Sequence, residues 1–244
     1  MAKNNKTIMK PTILFCGYRD WALKIYDFIK SKYESKIDIK LVKSEKEFND
    51  IINKLTPNLI FFVGWSWIVD KDIVNNFTCI CIHPSPLPKY RGGSPLQHQI
   101  ISGEKDSAAT LFIMNEQIDK GPILWQESFS LDGDLNDIFD RIMEKGKIGI
   151  SNLITKFLRG DSLKGVPQNE NEATYYKRRT LDQSEIKISD FGDYTAEELH
   201  NKIRALQGPY PNAFIACKNN TKLYLLKSKG EQKNEKTDNS ATYR

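Results

Sequence analysis

No stretch of the chain approaches the roughly 20 apolar residues that a membrane-crossing helix needs. The opening segment MAKNNKTIMK also lacks the apolar run of a secretory signal. Both absences lead to the expectation of a cytoplasmic protein with no membrane partner. Cysteine is scarce, at positions 16, 79, 81 and 217, and the spacing fits no zinc motif, so reduced thiols and no metal are expected. Histidine is scarcer still, with only His83, His98 and His200. No G-x-G-x-x-G follows the first apolar run, which removes the dinucleotide fingerprint, and no internal repeat is evident. What is present, 39% hydrophobic and 27% charged residues in 244, suits one sizeable core with a small appendage. The net charge of +5 is a mild basic bias that solvated lysines largely explain. It does not demand nucleic acid, and an acidic small molecule is equally compatible.

The first 160 residues alternate between strand and helix patterns. Thr12–Gly17, Ile37–Val42 and Leu59–Val63 read as strands. Asp20 is a plausible N-cap for a helix whose face carries Trp21, Leu23, Ile25, Phe28 and Ile29. Ser44 with Glu47 fits a capping box. The short connections predict an α/β fold with a doubly wound, mainly parallel sheet. Apolar spacing predicts a helix over Leu135–Leu158, although Gly146 and Gly149 weaken the case for its being unbroken. Past Gly160 the texture changes. Thr195 and Glu198 begin another helix, bearing Leu199, Ile203 and Leu206, and Phe214–Cys217 and Leu223–Lys227 read as a β-hairpin. The expected organisation is a core over residues 1–160, an extension with helix and hairpin over 161–227, and a disordered Lys/Glu/Asn/Ser-rich tail over 228–244. A lone hairpin is marginal, so this one must pack on the body or on a second copy, and a homodimer formed through it is an expectation.

The chain's chemistry is concentrated between Thr78 and Leu124. Cys79-Ile80-Cys81-Ile82-His83 has the texture of a buried strand, and alternation puts Cys79, Cys81 and His83 on one face. Pro84, Pro86 and Pro88 then break any regular ladder, and Gly92-Gly93 permits close backbone approach. A polar turn, Asn115–Gly121, carries Asp119, 36 positions after His83. Neighbouring strands can unite the two, and a carboxylate beside a histidine fixes its tautomer and favours the imidazolium, which suits proton transfer. Elsewhere, Tyr18 and Arg19 occupy the turn where ligands bind in such sheets, and Arg19 can meet a phosphate. Trp65 and Trp67 follow a strand end and offer flat apolar surface, with packing under the next helix as the competing role. Tyr175, Tyr176, Lys177 and Arg178 set aromatics beside cations, suited either to a diphosphate and base or to a basic surface loop.

Taken together these residues resemble the 10-formyltetrahydrofolate-dependent formyltransferases. That family has an Asn-x-His before a Pro-rich loop ending in Tyr-Arg-Gly, and then an Asp in a turn before Gly. Here the matching residues are His83, the stretch Pro84-Ser85-Pro86-Leu87-Pro88-Lys89-Tyr90-Arg91-Gly92-Gly93, and Asp119-Lys120-Gly121. The resemblance extends over roughly residues 12–215, through Phe61–Ser66, Tyr175–Arg179, Lys202–Leu206 and Pro209–Phe214. It implies a Rossmann-like core and 10-formyltetrahydrofolate as formyl donor. It also implies His83 and Asp119 as catalytic residues, with Trp65, Ser66, Trp67, Met114, Gln117 and Ile118 at the folate. The family's Asn falls on Cys81, a much weaker hydrogen-bond donor.

Among the branches, the resemblance is read as closest to the sugar N-formyltransferases. The expected acceptor is then a nucleotide-linked amino sugar, first a dTDP-linked 4-amino-4,6-dideoxyhexose, serving surface-polysaccharide (lipopolysaccharide O-antigen) synthesis with no nucleic-acid partner. Its grip is expected from Tyr18, Arg19, Tyr90, Arg91, Gly92, Gly93, Tyr175, Tyr176, Lys177 and Arg178. A methionyl-tRNA formyltransferase is the alternative, disfavoured because the chain after Phe214 reads as short for a large RNA-binding domain. Outside this class stand a hydrolase using Cys81 as nucleophile, and an inert folate- or nucleotide-binding module.

Overall fold

The computed structural model describes residues 10–231. In chain order, β1 (Thr12–Cys16), α1 (Asp20–Tyr33), β2 (Asp38–Val42), α2 (Glu45–Ile52), β3 (Leu59–Val63), α3 (Lys71–Asn76) and β4 (Cys79–His83) alternate. They are followed by β5 (Arg91–Gly92), α4 (Pro95–Ile101), β6 (Asp106–Ile113), β7 (Ile123–Ser130), α5 (Leu135–Leu158) and β8 (Tyr175–Tyr176). The chain continues with α6 (Asp190–Asp193), α7 (Ala196–Ala205), β9 (Ala213–Cys217) and β10 (Thr221–Leu225). Two compact units result. Among the described residues, one comprises 10–96 with 105–178, and the other 97–104 with 179–231. The expected tail over 228–244 lies outside the described residues from 232 on.

The first unit holds a six-stranded sheet in the order β2-β1-β3-β4-β6-β7. Strands β1 to β4 are parallel, whereas β6 runs antiparallel to β4 and β7 antiparallel to β6. The expectation of a mainly parallel sheet flanked by helices therefore stands. All five residues of β3 are buried, as a strand covered on both faces requires. On one face Leu14, Cys16, Ile60, Phe62 and Cys79 meet Phe48 and Ile52 of α2 and Ile73 and Val74 of α3. On the other face lie α1 and α5.

Helix α5 is continuous over 24 residues, and the reason is packing. A Cβ on Gly146 would lie 2.6 Å from Ile25 Cδ1, and one on Gly149 2.7 Å from Leu111 Cδ1 and from Trp125 Cε3. The two glycines let the helix lie close on α1 and the sheet, and that burial outweighs their poor helix propensity of about 1 kcal/mol each. Phe28, expected on the inner face of α1, is 38% exposed, and the ammonium groups of Lys32 and Lys147 lie over its ring. Asp20 is the first helical residue rather than the cap, a position held by Arg19.

In the second unit Thr195 and Glu198 form the expected capping box of α7. Ile203 and Leu206 pack with Ile186 and Ala213, joined by Leu199, Ile215 and Leu225. The antiparallel β9–β10 hairpin thus packs within its own unit, which supplies the apolar support it needs. Among the described residues no helix is long and apolar enough to cross a membrane, and no group of His, Cys, Asp and Glu is placed to hold a metal.

The close approach at α5 gives a direct test. Gly149→Val should destabilise the protein by about 1–3 kcal/mol, because overpacking against Leu111 and Trp125 exceeds the gain in helix propensity. Urea unfolding reads the change as a lower midpoint with an unaltered slope; an equal or higher midpoint would contradict this packing.

Candidate active site

Strand β4 ends at His83, whose imidazole is 6% exposed. Its Nε2 lies 2.9 Å from the carbonyl oxygen of Tyr90 and its Nδ1 3.6 Å from Asp119 Oδ2. A carbonyl only accepts, so Nε2 carries the proton in the neutral ring and Nδ1 is the basic atom. At 3.6 Å the carboxylate faces Nδ1 from just beyond direct hydrogen-bond distance. The expected meeting of His83 and Asp119 is thus present in the geometry.

Asp119 reaches this place by an indirect path. Because β6 is antiparallel to β4, the turn after it starts beside the beginning of β4, where the Met114 N–H donates to the Cys79 carbonyl. Asp119 itself has a φ of 53°, a left-handed conformation that a non-glycine residue adopts at some cost. Its Oδ2 accepts from the Gly92 N–H at 2.8 Å. Gly121, two residues on, has no room for a side chain: a Cβ there would lie 1.6 Å from the Ile113 carbonyl oxygen.

The Pro-rich loop is rigid because its carbonyls are occupied. Thr110 Oγ1 donates to the Ser85 carbonyl at 2.6 Å, Gln126 Nε2 to the Leu87 carbonyl at 3.1 Å, and Ser85 Oγ to the Lys89 carbonyl at 2.8 Å. The loop ends in β5, which pairs in parallel with β8. Arg91 N–H donates to the Thr174 carbonyl and Gly93 N–H to the Tyr176 carbonyl, while the intervening Gly92 N–H faces the other way, to Asp119. A Cβ on Gly92 would lie 2.3 Å from the Tyr176 carbonyl oxygen, which accounts for glycine there.

Arg91 is fully buried. Its Nε and Nη2 donate to Gln168 Oε1 at 3.0 and 2.8 Å, Nη1 and Nη2 donate to Glu170 at 3.2 and 2.9 Å, and Nη1 also donates to the Tyr175 hydroxyl. All five guanidinium N–H groups are thereby used within the protein. Tyr90, also buried, stacks on Tyr176 with ring centroids 5.0 Å apart. Tyr90, Arg91 and Tyr176 hold the loop in place, which corrects the expectation that they grip a nucleotide. Gly93 packs against the backbone of Arg178, whose Nη2 donates to the Ser66 carbonyl at 3.2 Å. Ser66 Oγ is 2.6 Å from the Tyr18 hydroxyl, and the Arg19 guanidinium lies over the Tyr18 ring. Lys177 is exposed.

The residues expected at the folate divide. Trp65 meets Phe48, Phe62 and Trp67 edge-on, and together with Met114 and Cys81 it borders one apolar cluster beside the end of the sheet. Trp67 also contacts the Tyr18 ring. Gln117 and Ile118 lie exposed in the Asp119 turn. Cys81 is partly buried, and its thiol is pushed well above its ordinary value by burial first, then by the charges of Asp119 and Cys79. A thiol held protonated is a poor nucleophile, which argues against the hydrolase reading. Gln168 and Glu170 were not legible as site residues, since in sequence they belong to a polar loop, Gln168-Asn169-Glu170-Asn171-Glu172.

A mainly parallel α/β core with a histidine and a carboxylate meeting at a strand's end suits acid–base chemistry in a group-transfer enzyme. The chain belongs to the formyl transferase family: Formyl transferase matches residues 27–154 and Formyl transferase, C-terminal domain, residues 181–242. It is 34% identical over 172 residues to methionyl-tRNA formyltransferase of Ehrlichia ruminantium, covering 69% of this chain and 53% of that protein. It is 31% identical over 182 residues to that of Syntrophomonas wolfei, covering 73% and 56%. The chain thus spans a little over half the length of these relatives. Methionyl-tRNA formyltransferase from Clostridium thermocellum superimposes with a TM-score of 0.73 at 33% identity, covering 84% of this chain and 87% of that one. A 4-N formyltransferase from Francisella tularensis (TM-score 0.71, 22% identity, covering 91% and 98%) shares the fold. So does HypX from Aquifex aeolicus, solved with tetrahydrofolic acid (TM-score 0.70, 20% identity, covering 83% and 35%).

These findings correct three expectations. The three relatives above at 31–34% identity are methionyl-tRNA formyltransferases, which overturns the nucleotide-linked amino sugar as acceptor and, with it, the polysaccharide role. The same relatives act, by name, on a tRNA, against the expectation of no nucleic-acid partner. The match over 181–242 removes the argument from a missing C-terminal domain.

The Arg91–Glu170 pair makes stability depend on pH. The hydrogen bond from Arg91 holds the Glu170 carboxyl below its ordinary value, opposed by partial burial and helped by Lys120 at 3.2 Å. A depressed carboxyl stabilises the fold above its unfolded-state value, and that contribution is lost as pH falls through the folded value. The melting temperature should therefore fall on acidification below about pH 4.3, the ordinary glutamate value, and fall less in Glu170→Gln. Equal slopes for the two proteins would contradict the pairing.

Proposed function

We propose that the protein is an N-formyltransferase of the methionyl-tRNA type, moving a formyl group from 10-formyltetrahydrofolate to the amine of an aminoacyl-tRNA. The observation that carries this reading is His83 with its basic Nδ1 facing Asp119, set in a chain at least 30% identical to methionyl-tRNA formyltransferases. The donor, when bound, supplies the formyl carbon, which the acceptor amine takes up with loss of one proton as tetrahydrofolate leaves. His83 Nδ1 accepts that proton and returns it to N10 of the departing tetrahydrofolate as the N10–formyl bond breaks. Asp119 stabilises the transient imidazolium while the Tyr90 carbonyl holds the other ring N–H in place. Trp65 and Met114, which border the same apolar cluster as Cys81, offer apolar surface for the flat body of a pterin. The net charge of +5 suits a polyanionic acceptor, and the cytoplasm, where tRNA is charged, is the compartment we assign.

The test is transfer from 10-formyltetrahydrofolate to methionyl-tRNA, with formylmethionine detected by mass after ester hydrolysis. Wild-type protein should formylate the charged tRNA, and Asp119→Asn should lower kcat by about 10²–10⁴-fold. Failure of the wild-type chain on every aminoacyl-tRNA would overturn the reading. Cys81 stands where the resemblance places an asparagine, so Cys81→Asn adds a strong N–H donor beside the reacting carbonyl. It should raise kcat about tenfold or more, a part of what one oxyanion donor contributes. A lower kcat would show that the site is built around the thiol instead.

A further inference from the structure

The geometry points to Gln168 as a positioning residue that sets the Asp119 turn against the Pro-rich loop, an inference resting on the functional reading above. Its amide works in both directions. Oε1 accepts from Arg91 Nε at 3.0 Å and Nη2 at 2.8 Å, while Nε2 donates to the Asp119 carbonyl at 2.9 Å and the Gly121 carbonyl at 2.7 Å. Arg91 in turn is covalently joined to Gly92, whose N–H holds Asp119 Oδ2 at 2.8 Å. The result is a closed ring: Asp119 carboxylate, Gly92 N–H, Arg91 guanidinium, Gln168 amide and Asp119 carbonyl. The side chain of Asp119 is thus held directly by the end of the Pro-rich loop, and its backbone is held through Gln168, which Arg91 of that same loop engages. The Pro-rich loop also presents the Tyr90 carbonyl to His83 Nε2.

Such a ring answers a particular need. Asp119 has a left-handed backbone and no direct hydrogen bond to His83, so nothing between the two groups sets their 3.6 Å separation. Only an amide can serve at position 168. A carboxylate would keep or strengthen the Arg91 contacts but would turn one acceptor oxygen onto two carbonyl oxygens, and an apolar side chain would strand two buried guanidinium donors. Gln168 touches neither reacting partner, and it acts through Asp119.

Gln168→Glu separates the two arms, and the full chain is measured in two ways. Steady-state formyl transfer should show kcat lowered about 10–100-fold, with KM for donor and for methionyl-tRNA changed much less. Amide hydrogen exchange of the free protein should show the Gly92 N–H exchanging about tenfold faster or more, while Phe61 and Ile80 in the central strands keep their wild-type rates. If Gln168→Glu does not fold, Gln168→Asn replaces it, since an amide one methylene shorter can hold Arg91 or the turn but not both. An unchanged Gly92 rate overturns the clamp, as does an unchanged kcat in a variant with altered exchange. If the wild-type chain transfers no formyl group at all, the functional reading fails, and the exchange arm still decides the clamp.

Discussion

The largest wholly buried side chain among the described residues is charged: Arg91. Taking a guanidinium out of water costs several kcal/mol unless every donor finds an acceptor and a counter-charge is near. The fold meets both conditions with Gln168, Glu170 and Tyr175, none of which lies near Arg91 in sequence. Three consecutive residues then do three things. Tyr90 gives its carbonyl to His83, Arg91 pins the distant loop, and Gly92 gives its N–H to Asp119. The contacts made by Tyr90 and Gly92 thus tie the meeting of His83 and Asp119 to the network around one buried cation.

This arrangement also explains the prolines and glycines around it. A loop with occupied carbonyls at Ser85, Leu87 and Lys89 cannot drift, so its end arrives at β8 in one register. Gly92 and Gly93 are small because the Tyr176 carbonyl and the Arg178 backbone lie where a Cβ would be. Cys81 is the departure. Burial and the neighbouring Asp119 keep its thiol protonated, so it can contribute a weak S–H but neither a nucleophile nor an amide donor.

Much of the fold was legible in sequence because it rests on local signals. Apolar runs gave β1, β3 and β4, and capping chemistry gave the start of α7. The unbroken α5 was less legible, since whether a glycine breaks a helix or lets it pack closer depends on what lies opposite, here Ile25, Leu111 and Trp125. His83 and Asp119 were legible as a pair from residue type and turn texture, but the antiparallel β6 that makes Asp119 fold back was not. Gln168 and Glu170 gave no signal, because a polar loop reads the same whether it faces water or a buried arginine. The acceptor was misread because the chain after Phe214 reads as short for an RNA-binding domain, whereas residues 181–242 match the family's C-terminal domain. The binding residues were misread for a different reason. Aromatic and basic residues at Tyr90, Arg91, Tyr175 and Tyr176 suggest ligand binding in one dimension, and in three they bind one another.

The most direct test of this account is the single-turnover rate of formyl transfer by Arg91→Lys under saturating donor and methionyl-tRNA. A lysine keeps the charge but cannot present the planar fork that Gln168, Glu170 and Tyr175 share. The rate constant of the folded variant should fall by about 10²-fold, the cost of a misplaced catalytic group. A folded Arg91→Lys protein that transfers the formyl group at the wild-type rate would contradict it.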